Sequence, residues 1–281
     1  MAKKLILVIL VVSFGQQSFF AQNFTSPDTI LIQSGDLTLK GLLWHPNGSG
    51  KFPSIIFCQG SYESTDTTYD QVKQASTLGP VFAKHGYIFF APFRRGSGLS
   101  IGQGKNVADL MKDALNEKGQ QRRNEIQLQQ LETDQMQDMV AALSILRKRK
   151  DVSSNRIAIV GHSFGGSLSF LMIEKEKELK AAVVFGAAGK SWNNSPQLRN
   201  RLISAVKNIK APVMMIYAQN DYSINPGIAL DSVMNQINKL HKLKIYPAFG
   251  RSLQEGHNLI FLNTEAWEED VFRFLKETLK D

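Results

Sequence analysis

The sequence predicts an α/β domain built on a mainly parallel sheet, and three observations carry that prediction. Short β-branched or aromatic runs alternate with helix-spaced apolar patterns along the 281 residues, the rhythm of repeated strand–helix–strand units. One such strand, residues 157–160, runs without a break into Gly161-His162-Ser163-Phe164-Gly165 and then into a helical pattern. The composition, 43% hydrophobic and 21% charged, suits a chain of this length folding around one large core.

The elements follow in order. Residues 29–33 and 37–44 read as a hairpin turning at Ser34-Gly35-Asp36. Residues 54–58 form a short buried strand, 71–84 a helix, and 87–91 the next strand, stopped by Pro92. Residues 156–160 lead into the Ser163 turn, and 181–185, 213–217 and 243–246 are three further strands, eight in all. Helices fall at 197–206, 227–240 and 264–279. The last of these sets Trp267, Val271, Phe274 and Leu275 on one face for docking.

Residues 104–150 break this rhythm with a long polar, helix-favouring stretch. Met136, Met139, Val140, Leu143 and Leu146 stand at helical spacing and are expected to pack on the sheet. The preceding part, taken as a helical insertion over 104–131, is open to two readings. It is either a solvated extension of a crossover helix or a small lid over the site. No internal repeat and no second domain is visible, so 22–281 is read as one domain.

The N-terminus has the pattern of a secretory signal peptide over residues 1–21. Lys3 and Lys4 precede an apolar run at 5–12, and a more polar stretch ends at Phe20-Ala21-Gln22. Cleavage after Ala21 would export the protein to the periplasm or the medium. The apolar run is short for a bilayer span, so no stable membrane insertion is expected after cleavage, an uncleaved anchor being the alternative. A single cysteine, Cys58, sits in a predicted buried strand and cannot form an internal disulfide. The formal charge is +8, of which Lys3 and Lys4 contribute two. No basic stripe with interleaved aromatics appears, so the excess reads as surface charge and not as a nucleic-acid site.

The chemistry-bearing residues begin with Ser163. Gly-x-Ser-x-Gly between a strand and a helix forms a turn so tight that the serine backbone is strained and its flanking residues must lack side chains. The strain lifts Oγ clear of the sheet. A serine hydroxyl then needs a base, and the base needs a third group to hold its ring. Asp221 lies just beyond the strand 213–217, at the edge where a site would form, with Asp231 as the weaker alternative acid. His257 follows the last strand and the run FGRSLQEG, and is expected on a flexible loop. His45 and His85 precede the serine, His162 adjoins it and points away, and His241 is expected to end a helix. Two backbone N–H groups are needed for the developing oxyanion. Phe164, directly after the nucleophile, is one. Ser61 or Tyr62, after the glycine of Gln59-Gly60, is the other, with Ser61 slightly favoured. No cluster has metal-ligand spacing, and no cofactor is expected.

The chain resembles the serine α/β-hydrolase superfamily, and within it the dienelactone-hydrolase-related and prolyl-oligopeptidase-like esterase branch. The resemblance rests on Gln59-Gly60, on PFRRGSGLS at 92–100, on GHSFGG, on Asp221 before Pro226, and on Glu255-Gly256-His257. It implies the α/β-hydrolase fold and a Ser163–His257–Asp221 triad. It also gives the Arg95-Gly96-Ser97-Gly98-Leu99-Ser100 segment a structural role, its guanidinium tying loops together. Three departures stand out. Gln59 replaces the histidine that many relatives have, a serine stands where dienelactone hydrolases use cysteine, and too few residues precede the sheet for the propeller of the peptidases. The expected activity is hydrolysis of small-molecule carboxylic esters. A peptidase or amidase with the same triad is the first alternative, and a non-catalytic binding protein on the same fold the second. The sequence leaves the oligomeric state open.

Overall fold

The computed structural model describes residues 26–65 and 70–280, so the signal peptide expected over 1–21 lies outside the described residues. Eight strands form one sheet: β1 (Asp28–Ser34), β2 (Leu37–Trp44), β3 (Phe52–Cys58), β4 (Ile88–Pro92), β5 (Val152–His162), β6 (Ala181–Phe185), β7 (Val213–Ala218) and β8 (His241–Tyr246). Their spatial order is β1-β2-β4-β3-β5-β6-β7-β8. The β1–β2 and β2–β4 pairs are antiparallel, and every pair from β4 to β8 is parallel. This is the eight-stranded, mainly parallel sheet that the sequence predicts.

The central strands are buried on both faces, as parallel strands under crossover helices must be. Side chains alternate between two cores. Ile56, Cys58, Ile157 and Ile159 face one core, under α3 (Asp134–Lys148), α4 (Phe164–Lys175), α5 (Pro196–Asn208) and α6 (Asn225–Gln236). Ile55, Phe57, Ala158 and Val160 face the other, under α1 (Gln71–Lys84) and, nearer the C-terminus, α8 (Leu259–Leu262) and α9 (Thr264–Thr278). Trp267, Val271, Phe274 and Leu275 are buried there, the docking stripe expected of the last helix. The insertion is one long helical stretch, α2 (Val107–Glu132), interrupted at Gly119, whose φ of 74° is non-helical. Asn106 caps its start by accepting from the N–H groups of Ala108 and Asp109.

Three local expectations fail, each for a readable reason. β5 begins four residues early, at Val152, because Phe52 pairs with Val152 ahead of a register shift. The polar Ser153-Ser154-Asn155 looks like a turn but continues the strand. α6 ends at Gln236 and not at Leu240, because Asn238 takes the left-handed conformation (φ 52°) and Lys239 N–H closes back on Met234 O at 2.9 Å. His241 therefore opens β8 and does not end a helix. His257, expected on a flexible loop, ends a short helix, α7 (Leu253–His257). Ser252 and Glu255 start that helix as a reciprocal capping box.

α1 packs very closely on β2. A Cβ on Gly79 would lie 2.2 Å from the Trp44 ring, which is itself buried. Alanine normally stabilises a helix interior by about 1 kcal/mol over glycine. Gly79→Ala is expected to reverse that sign and cost about 1–3 kcal/mol through overpacking, read as a lower midpoint in urea unfolding.

Candidate active site

The site forms where the carboxyl ends of β3, β5, β6 and β7 meet, the edge at which open α/β sheets bind ligands. Ser163 sits between β5 and α4 with φ 56° and ψ −117°, a conformation that costs a non-glycine residue on the order of 1–3 kcal/mol. Its neighbours hold it there. Ser163 N–H donates to Phe185 O at 2.9 Å, pinning the turn to the end of β6. A Cβ on Gly165 would lie 2.0 Å from Cys58 O, and one on Gly161 would lie 2.2 Å from Ser169 Oγ. Only glycine at both positions lets the helix start press against the end of β3.

The three predicted side chains converge. His257 Nε2 lies 2.9 Å from Ser163 Oγ, and His257 Nδ1 lies 2.7 Å from Asp221 Oδ1. A carboxylate only accepts, so the ring proton sits on Nδ1 and the Nε2 lone pair faces the serine hydroxyl. Asp221 and His257 are both buried, which strengthens the pair. Tyr222 N–H also donates to Asp221 Oδ1 at 2.6 Å. Gly186, at φ 58°, leaves the room the pair needs, since a Cβ there would lie 2.9 Å from Asp221 Oδ2 and from His257 Nδ1. Asp231, the alternative acid, pairs with His241 at 3.0 Å and takes no part.

Two residues whose roles the sequence did not reveal hold His257 in place. Asn220 donates from Nδ2 to Phe249 O and Ser252 O (2.8 and 3.0 Å) and accepts from Phe249 N–H (2.8 Å). It staples the turn after β7 to the segment that precedes α7. A Cβ on Gly256 would lie 2.4 Å from Asn220 Oδ1, so that glycine permits the contact. His162 points away from the cavity, as expected, and its Nε2 donates to His257 O at 2.9 Å. Burial holds its pKa well below the usual imidazole range, with the nearby His257 acting in the same direction, so it stays neutral.

The loop after β3 supplies the oxyanion side. Phe164 N–H belongs to the first turn of α4, where no helical carbonyl reaches it. Ser61 and Tyr62 line the same cavity as Ser163, Phe164 and His257. Arg94, whose role the sequence did not reveal, lies behind this loop. It is 2% exposed, and its guanidinium donates to Gln59 O (2.9 and 3.0 Å), Gly60 O (3.3 Å), Cys58 Sγ (3.0 Å) and Gln135 Oε1 (2.8 Å). Gln71 Nε2 also donates to Gly60 O at 3.2 Å. A carbonyl and the following N–H point in opposite directions across one planar trans peptide. Drawing Gly60 O towards Arg94 therefore aims Ser61 N–H away from it, and Arg94 does not line the catalytic cavity. Arg95 is structural, but it ties its loop to the helix α3 and not to another loop. It grips Asp138 through Nε at 3.0 Å and Nη2 at 2.7 Å, and pairs with Asp134 at 3.0 Å.

A cavity of about 310 Å³ opens above Ser163. Ala108, Met111 and Leu115 from the first half of α2 form part of its wall, and Arg123 and Gln127 come from the second half. Of the aromatic residues on loops, Tyr62 lines this cavity and Tyr222 packs edge-on to His257 at 5.1 Å between centroids. Phe93 and Trp192 are buried in the core.

A nucleophile at a strand-to-helix elbow, a buried imidazole–carboxylate pair and backbone donors on an eight-stranded sheet define the serine hydrolases of the α/β-hydrolase fold. A model of the dienelactone hydrolase family matches residues 39–280, and the chain belongs to that family. It is 24% identical over 248 residues to an uncharacterised peptidase, YtmA, of Bacillus subtilis (strain 168), covering 79% of this chain and 84% of that one. Among solved structures it resembles the Pyrococcus horikoshii acylaminoacyl peptidase, with a TM-score of 0.65 at 16% identity, covering 92% of this chain and 43% of that one. It also resembles the Pyrococcus furiosus esterase Pf2001, with a TM-score of 0.63 at 18% identity and 92% of both chains covered. The protein is a hydrolase enzyme of the serine type, with esterases and peptidases among its structural neighbours.

Removal of one oxyanion donor typically costs about 10²–10³ in kcat. Arg94→Met should loosen the Gln59–Gly60 peptides and lower kcat on an aryl ester by roughly 10- to 100-fold, with KM little changed. An unaltered kcat in a folded variant would remove Arg94 from the oxyanion machinery.

Proposed function

We propose that the protein hydrolyses carboxylic esters through an acyl-enzyme on Ser163. The observation that carries this reading is the unbroken hydrogen-bond chain from Asp221 through His257 to Ser163 Oγ, at 2.7 and 2.9 Å. His257 Nε2 takes the Oγ proton as the oxygen attacks the ester carbonyl. The tetrahedral oxyanion accepts from Phe164 N–H and Ser61 N–H. Asp221 stabilises the imidazolium, which then protonates the departing alkoxide. Water, deprotonated by the same imidazole, attacks the acyl-serine and releases the acid, and the proton returns to Ser163.

The ester assignment is supported by the likeness to the Pyrococcus furiosus esterase over 92% of both chains; the chain spans about two fifths of the acylaminoacyl peptidase but 84% of the uncharacterised peptidase YtmA, so extent of match alone does not separate ester from amide. Export, as read from residues 1–21, belongs to the same proposal and rests on their charge and apolar pattern alone.

Ser163→Ala should lower kcat/KM on a short-chain aryl ester by at least about 10³-fold, with little change in the unfolding midpoint. Wild-type protein should turn over that ester much faster than the matched anilide. Comparable or faster anilide turnover would assign a peptidase or amidase to the same triad.

A further inference from the structure

The cavity above Ser163 contains more positive charge than its own carboxylates neutralise. Its charged lining residues are Glu63, Lys112, Arg123 and Lys190. Glu63 is already paired with Lys112 at 2.5 Å. Among the described residues, no carboxylate lies within 4.0 Å of Arg123 or Lys190; Arg122 of α2 pairs with Glu125 and Arg201 of α5 with Glu132 and Glu174, while Arg199 of α5, which does not line the cavity, donates to Trp192 O at 3.0 Å.

Arg123 lies beyond the Gly119 break in α2 and is held rigidly from one side only. Its Nη1 donates to Gln127 Oε1 (2.6 Å), Asn124 Oδ1 (3.3 Å) and Ser191 Oγ (3.3 Å), three neutral acceptors on a single nitrogen. The hydrogen bonds of the described residues leave Nε and Nη2 free, and neither is a sealed, orphaned atom. Partial burial in the cavity wall holds the guanidinium below its ordinary pKa. Lys190 approaches from the loop after β6. Its ammonium stands 4.3 Å over the Tyr222 ring, and Tyr222 in turn packs on His257 and hydrogen-bonds Gln254. Two cations without carboxylate partners, one of them partly desolvated, thus share the cavity of the nucleophile. Placing an arginine there is unfavourable until a counter-charge arrives.

We propose that this is a recognition site for a carboxylate on the substrate, so that the preferred ester is an anionic one. Arg123 binds the carboxylate and Lys190 supplies the second charge. The open edge of the guanidinium presents two nitrogens in the fork that matches two carboxylate oxygens. The inserted helix is then a specificity wall: its first half gives the cavity apolar surface and the Lys112 already paired with Glu63, and its second half gives it the Arg123 that has no carboxylate partner. This inference rests on the ester-hydrolase reading of the same site.

The test compares matched aryl esters: para-nitrophenyl valerate against mono-para-nitrophenyl glutarate, where the charge is on the acyl half, and phenyl butyrate against 3-butyryloxybenzoate, where it is on the leaving half. The carboxylate ester should be favoured in kcat/KM by roughly 10- to 100-fold in at least one pair, and added salt should erode that preference. Arg123→Gln should abolish most of the preference, Arg123→Lys should keep part of it, and Lys190→Gln should reduce it. No charge preference in either pair, or a preference that persists in folded Arg123→Gln, overturns the proposal. If Arg123→Gln does not fold, the wild-type preference and its salt dependence decide alone. A second readout is independent of turnover. Glutaranilic acid, a poorly hydrolysed amide, should bind the Ser163→Ala protein more tightly than neutral valeranilide in calorimetry. Inert esters combined with that binding difference would sink the ester-hydrolase reading and leave the anion site standing.

Discussion

The close approach of α4 to the end of β3 is the constraint on which the site depends. Gly165 meets Cys58 O and Gln59 O at distances that no side chain could tolerate, and Gly161 meets the first turn of α4. That contact forces Ser163 into its positive-φ turn and raises Oγ towards His257. It also brings the first free amide of α4, on Phe164, beside the 59–62 loop. One packing contact thus sets both the nucleophile and the oxyanion donors. The energy stored in the turn is offset by the surrounding sheet, whose central strands are buried on both faces.

Around that contact, positions are fixed by polar side chains that touch no substrate. Arg94 holds the carbonyls of the 59–62 loop from behind, Asn220 ties the turn after β7 to the start of α7, and His162 holds the backbone of His257. All three reach across elements distant in sequence. A charged residue such as Arg94 is rarely buried without a carboxylate. Here backbone carbonyls, an amide oxygen and a thiol take that place, and burial keeps the Cys58 thiol protonated as one of those partners, Arg94 itself pulling weakly the other way.

Much of this was legible in the sequence. The strand-turn-helix around Ser163 is local, so residue type and spacing specify it completely. Asp221 and His257 could be found because chain order and position after a strand are one-dimensional facts. α1 and β2 end where their apolar patterns and flanking residues end. What stayed hidden needs the third dimension. Nothing beside Arg94 in sequence announces Gln59, and nothing beside Asn220 announces Phe249. The early end of α6 turned on one asparagine, Asn238, adopting a conformation usually left to glycine. The helical nature of 253–257 was masked by Gly256 inside it, a glycine kept for its clearance from Asn220. The insertion could be recognised as helical, but which of its residues face the cavity depended on the break at Gly119.

The central claim is that Ser163 becomes covalently acylated during turnover. Rapid-quench mass spectrometry on protein mixed with an aryl ester, sampled before one turnover is complete, tests it most directly. The acyl mass should appear on the peptide that contains Ser163 and should decay as acid is released. Product accumulating while that peptide stays unmodified would contradict the account.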